Sequence, residues 1–77
     1  MSPIAVKFGR VVRRAREARR LSQEALADLA NVSRSFLSEI ERGSASPSLE
    51  TMQKLADAFG EQLSYLIVEY EKNNEPT

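Results

Sequence analysis

Residues 21–43 read LSQEALADLANVSRSFLSEIERG, and the pattern breaks in the middle, at Asn31-Val32-Ser33. Before the break, Ser22 suits a helix N-cap, and Ala25, Leu26, Leu29 and Ala30 are expected to face inward. Asn31 tolerates a left-handed backbone better than most residues, and Ser33 can cap a second helix. That second helix covers about Arg34 to Glu41, with Leu37 and Ile40 inward, Phe36 beside them and Gly43 as the C-terminal stop. Two short helices joined by a three-residue turn have helix-turn-helix spacing. The tight turn sends the second helix steeply across the first, as a ridge that fits a DNA major groove. A generic helical bundle uses equally short turns, so spacing alone leaves both readings open.

The flanking chain has the same helical punctuation. Ser2-Pro3 suits an N-cap followed by proline at the first helical position, and the helix it opens runs to about Arg19. Phe8, Val11, Val12 and Ala15 form its apolar stripe. Beyond the loop Ser44-Ala45-Ser46-Pro47, Ser48 caps a fourth helix with the stripe Leu49, Met52, Leu55, Ala56 and Phe59, ended by Gly60. A fifth helix spans about Leu63 to Lys72, with Leu63, Leu66, Ile67 and Tyr70 as its inward stripe and Tyr65 and Val68 pointing elsewhere. No segment alternates apolar and polar residues as a half-buried strand does. The expectation is one all-α domain over residues 1–72 and a polar tail over 73–77.

Composition bounds the chemistry. The chain has 77 residues, 11 basic and 11 acidic side chains, and neither His nor Cys. One domain fits that length. Without Cys there is no disulfide framework, and without His the usual general base and the commonest metal ligand are missing. No cofactor or metal is implied, and no carboxylate pair is placed with an acid–base partner, so an enzyme is not expected. No apolar run approaches the ~18 residues of a membrane span. Met1 to Arg10 lacks a signal-peptide core, so a cytoplasmic protein is expected.

Three segments together resemble the Cro/repressor-type helix-turn-helix family, also called XRE. They are Leu21-Ser22-Gln23-Glu24-Ala25-Leu26-Ala27, the run Val32 to Gly43, and Pro47-Ser48-Leu49-Glu50-Thr51-Met52-Gln53-Lys54-Leu55-Ala56. The resemblance covers about residues 8 to 68. It implies a five-helix, lambda-repressor-like domain that binds operator DNA as a two-fold dimer. Arg20 departs from it, standing where the family often has Gly, so the turn there is expected to carry left-handed strain. Glu61-Gln62 departs too, replacing the usual Val-Ser before the fifth helix.

The resemblance also implies roles. Ser33, Arg34, Ser35, Ser38 and Glu39 would face base edges, where Arg can reach guanine O6 and N7 together and a carboxylate can accept from cytosine. Gln23, Arg42, Ser46 and Ser48 would hold phosphates, Gln23 with help from the helix N-terminal N–H groups. Arg16 and Glu41 would form a structural salt bridge linking the first helix to the end of the third. The other helix-1 arginines read as a solvated face, with Glu17 supporting Arg13 and Arg14.

The fifth helix carries more apolar surface than one core face needs. Leu63, Tyr65, Leu66 and Val68 are therefore expected at a homodimer interface. An antitoxin that also grips a toxin, or a restriction–modification controller protein, remains an alternative to a plain repressor. The short tail disfavours a toxin-binding arm, and a contact with RNA polymerase is left open.

The charge is polarised along the chain. Residues 1–42 hold nine basic and five acidic groups, and residues 43–77 hold two basic and six acidic ones. The zero total therefore hides a basic helix-turn-helix half.

Overall fold

In the computed structural model, which describes residues 2–72, five helices follow one another: α1 (Pro3–Ala18), α2 (Gln23–Ala30), α3 (Arg34–Arg42), α4 (Leu49–Ala58) and α5 (Leu63–Lys72). The expected tail, residues 73–77, lies outside the described residues. No strand occurs among those described, and the fold is the all-α, lambda-repressor-like arrangement.

Serines start the first four helices. The hydroxyls of Ser2, Ser22, Ser33 and Ser48 accept from the N–H of the residue three places on, at 3.4, 3.0, 3.0 and 3.1 Å. Each cap satisfies one N–H that the helix itself leaves unpaired.

One kind of stop ends them. Arg20, Asn31, Gly43 and Gly60 sit at φ of 56°, 56°, 78° and 72°. The N–H after each reaches back five residues: Leu21 to Arg16, Val32 to Ala27, Ser44 to Glu39 and Glu61 to Ala56, at 2.9 to 3.2 Å. This is the Schellman closure, with a left-handed residue just past the helix. Glycine adopts that backbone freely, whereas Arg20 carries a Cβ that makes it unfavourable by about 1–2 kcal/mol.

The core draws on every helix. Val12, Leu26, Leu37, Ile40, Leu55 and Leu66 are its largest fully buried side chains, each contributing about 1.5–3 kcal/mol by leaving water. Around them pack Phe8, Val11 and Ala15 from α1, Ala27 and Ala30 from α2, and Ala56 and Phe59 at the end of α4. Gly9 lets α1 approach α3 closely: a Cβ there would lie 2.2 Å from the Ile40 carbonyl oxygen. That crossing sets the height at which α3 rides on the domain.

Three expected core residues lie outside the core. Leu29 is 60% exposed, because the inward face of α2 runs through Leu26, Ala27 and Ala30 and leaves Leu29 on its flank. Leu49 is 67% exposed. It keeps the α4 register but occupies the first turn, ahead of the half-buried Met52 and the buried Leu55. Ile67 is 38% exposed, because α5 rolls so that Leu66 alone is fully inward.

Candidate nucleic-acid interface

α3 buries Leu37, Ile40 and Glu41 and turns its other side to solvent. Ser33, Arg34, Ser35 and Arg42 are exposed, and Ser38 and Glu39 are half-buried. Neither Arg34 nor Arg42 pairs with a carboxylate among the described residues, so both guanidinium charges face outward. Arg42 Nη1 donates to the Ser38 hydroxyl one turn earlier. The capping hydroxyl of Ser33 is engaged by the Phe36 N–H.

Beneath this ridge, Arg16 of α1 meets Glu41 of α3. Nε donates to Oε2 at 2.8 Å and Nη2 to Oε1 at 3.0 Å. The remaining Nη1 donates to the Leu21 carbonyl at 2.8 Å. Gln23 Nε2 donates to the same Glu41 Oε1 at 3.1 Å. The side chains of Arg16 and Glu41 are 13% and 3% exposed, and the Glu41 hydrogen bond raises the Arg16 pKa above its ordinary value, with burial acting against it. The Glu41 carboxylate thus joins α3 to α1 and α2, and the Arg16 guanidinium adds the α1–α2 turn.

This bond also fixes the polarity of the Gln23 amide. A carboxylate only accepts, so the amide nitrogen faces Glu41 and keeps one N–H for another acceptor. The backbone N–H groups of Gln23 and Glu24 lie in the first turn of α2, where the helix supplies no acceptor. At the other end of α3, Ser46 is exposed in the loop before α4. Ser48 is occupied: its hydroxyl caps Thr51 and donates to the Thr51 hydroxyl at 3.1 Å.

α5 presents a different outer face from the expected one. Leu66 is 0% exposed and belongs to the protomer core, so it does not form part of a surface. Leu63 and Tyr65 are half-buried. The Tyr65 ring turns toward α1, where the Arg19 guanidinium lies 5.4 Å from its centre and 4.7 Å from that of Phe59. Val68 is exposed as expected, and Ile67 joins it. Ile67 also lines an apolar groove of about 170 Å³ with Ile4, Phe8, Pro47, Met52 and Tyr70.

Arg19 is the residue that sequence reasoning missed. It is half-buried, pairs with Glu61 at 3.5 Å and donates to the Ala15 carbonyl at 3.0 Å. It clamps the end of α1 to the α4–α5 corner, as the arginine-aromatic combination permits. Arg13 does pair with Glu17, at 3.2 Å on the exposed face.

A family model described as helix-turn-helix matches residues 12–66. The chain belongs to the Cro/repressor-type helix-turn-helix family. The match takes in α2, α3 and their turn, with the Arg16–Glu41 junction that supports them. Among curated proteins, this helix-turn-helix chain is 43% identical over 61 residues to the immunity repressor protein of Bacillus phage phi105, covering 79% of the chain and 42% of that repressor. It is 36% identical over 76 residues to the HTH-type transcriptional regulator PuuR of Escherichia coli, covering 99% of the chain and 41% of PuuR. The chain thus spans about two fifths of the length of these two relatives. Among solved structures, the restriction-modification controller protein C.AhdI from Aeromonas hydrophila superposes with a TM-score of 0.78 at 42% identity, over 80% of this chain and 94% of that one.

Proposed function

We propose that this helix-turn-helix chain is a sequence-specific transcription regulator that binds double-stranded DNA with α3 in the major groove. The observation that carries the reading is the solvent face of α3, where Arg34 and Arg42 stand without carboxylate partners on a helix anchored from below by Glu41. Arg34 can read guanine, Ser33 and Ser35 suit several bases, and Glu39 can accept from cytosine N4. Gln23 and the other N–H groups at the α2 N-terminus, with Ser46 in the loop after α3, suit phosphate oxygens, whereas the single O–H of Ser48 is spent on Thr51.

The regulator would act as a homodimer on a palindromic or nearly palindromic operator. Ile67 and Val68, exposed on α5, supply the apolar face for a second copy. Selecting bound duplexes from a random library tests the reading. The expected product is a palindrome whose half-sites are one DNA turn, ~34 Å, apart. A pool with no sequence preference would overturn it.

Similarity to C.AhdI over nearly all of that protein, and to the control protein C.BamHI of Bacillus amyloliquefaciens (38% identical over 74% of its length), favours a second reading as a restriction–modification controller. The two readings share the same DNA site. They part on whether the selected operator lies upstream of restriction–modification genes.

A further inference from the structure

We propose that Ser38 and Arg42 act as one unit in which Arg42 reads a base and Ser38 positions it, the reverse of the roles the family resemblance implies for them. The proposal rests on the DNA reading above.

The register of α3 places them. Ser35 and Arg42 are seven residues apart, so at 3.6 residues per turn they lie within about 20° on one line of the helix. That line is opposite the buried Leu37 and Ile40. A recognition helix in the major groove turns its solvent side to the DNA, and Arg34, about 80° round the axis from Arg42, has a side chain long enough to bend to the same base edges. If Ser35 faces base edges, Arg42 faces them too.

Ser38 lies beside the crest and is half-buried, whereas Arg42 is exposed. The bond from Arg42 Nη1 to the Ser38 hydroxyl is the sole hydrogen bond of either side chain among the described residues. It restrains a flexible guanidinium while leaving four of its N–H groups for another acceptor, enough for both guanine O6 and N7. Arg34 and Arg42 are eight residues apart, about 12 Å along the axis. At ~3.4 Å per base pair, two arginines at that spacing span about three to four base pairs. Each half-site should therefore carry two guanine positions, one for each arginine.

Random-duplex selection with the wild type and four variants tests this. Arg42→Ala should flatten one guanine position, leave the Arg34 position intact, and weaken binding to the selected duplex about 10- to 100-fold. Arg42→Lys, which keeps the charge but loses the planar fork, should flatten the same position. Ser38→Ala should blur that position with a loss of about three- to tenfold, and Ser38→Thr, which keeps the hydroxyl, should restore it. Unchanged helicity and melting show that these surface variants fold. A uniform loss on all duplexes from Arg42→Ala, with Arg42→Lys tolerated, would make Arg42 a phosphate contact and overturn the proposal. So would a different position altered by Ser38→Ala, since Ser38 would then read a base itself. If the wild type enriches no sequence, the DNA reading falls, and this assignment falls with it.

Discussion

Arg16 and Glu41 are 25 residues apart in the chain and meet side-on, two guanidinium nitrogens against two carboxylate oxygens at 2.8 and 3.0 Å. The same carboxylate holds Gln23, and the same guanidinium holds the Leu21 carbonyl. The pair is therefore the joint at which α1 sets the orientation of both helices of the motif.

Removing one partner leaves the other buried and uncompensated. Glu41→Ala or Arg16→Ala should cost about 3–5 kcal/mol in urea unfolding. Replacing both with Met should cost less than either single change, because no orphan charge remains. A single-mutant loss below about 1 kcal/mol would mark the pair as an ordinary surface bridge. The Arg16 pKa is raised in the folded state, so its contribution is complete at neutral pH and is lost only in strong alkali, as pH rises past the ordinary arginine value.

Arg20 holds a left-handed backbone with φ of 56° at the end of α1. Arg20→Gly should relieve that strain, less the entropy glycine loses on folding, for a gain of up to about 1 kcal/mol. Thermal melting should rise by up to about 8 °C for a domain of this size. A fall would show that the Arg20 side chain stabilises the fold more than its backbone destabilises it.

Neighbouring residues on α5 should respond in opposite ways. Leu66 is fully buried, so Leu66→Glu should unfold the protomer. Ile67 is exposed, so Ile67→Glu should leave a folded chain that sediments as a monomer. An Ile67→Glu protein that remains a dimer would remove this face of α5 from the interface.

The contrast between these two leucine-like positions shows what local pattern can reveal. Helix starts and stops were legible because Ser2, Ser22, Ser33, Ser48, Gly43 and Gly60 act on backbone groups within a few residues of themselves. Which way a helix rolls is decided by what it packs on. Leu29 and Ile67 match a helical stripe as well as their buried neighbours do, yet the partners of α2 and α5 exclude them. Long-range contacts left still less trace. Arg19 looks like one more surface arginine until Phe59, Glu61 and Tyr65 are brought around it. Gly9 looks like a weak spot in a helix until the Ile40 carbonyl stands where a Cβ would be. The solvent face of α3 was visible from its register, but the Gln23–Glu41 bond beneath it was not.

On the proposed reading α3 enters the major groove. Guanine N7 lies on the major-groove edge, so methylating it blocks an arginine fork without altering the minor-groove edge. Binding to a selected operator, methylated at N7 of single guanines, measures this directly. Methylation at one or two guanines in each half-site should abolish binding, and Arg34→Ala should remove the sensitivity at one of them. Binding indifferent to N7 methylation throughout the operator would contradict it.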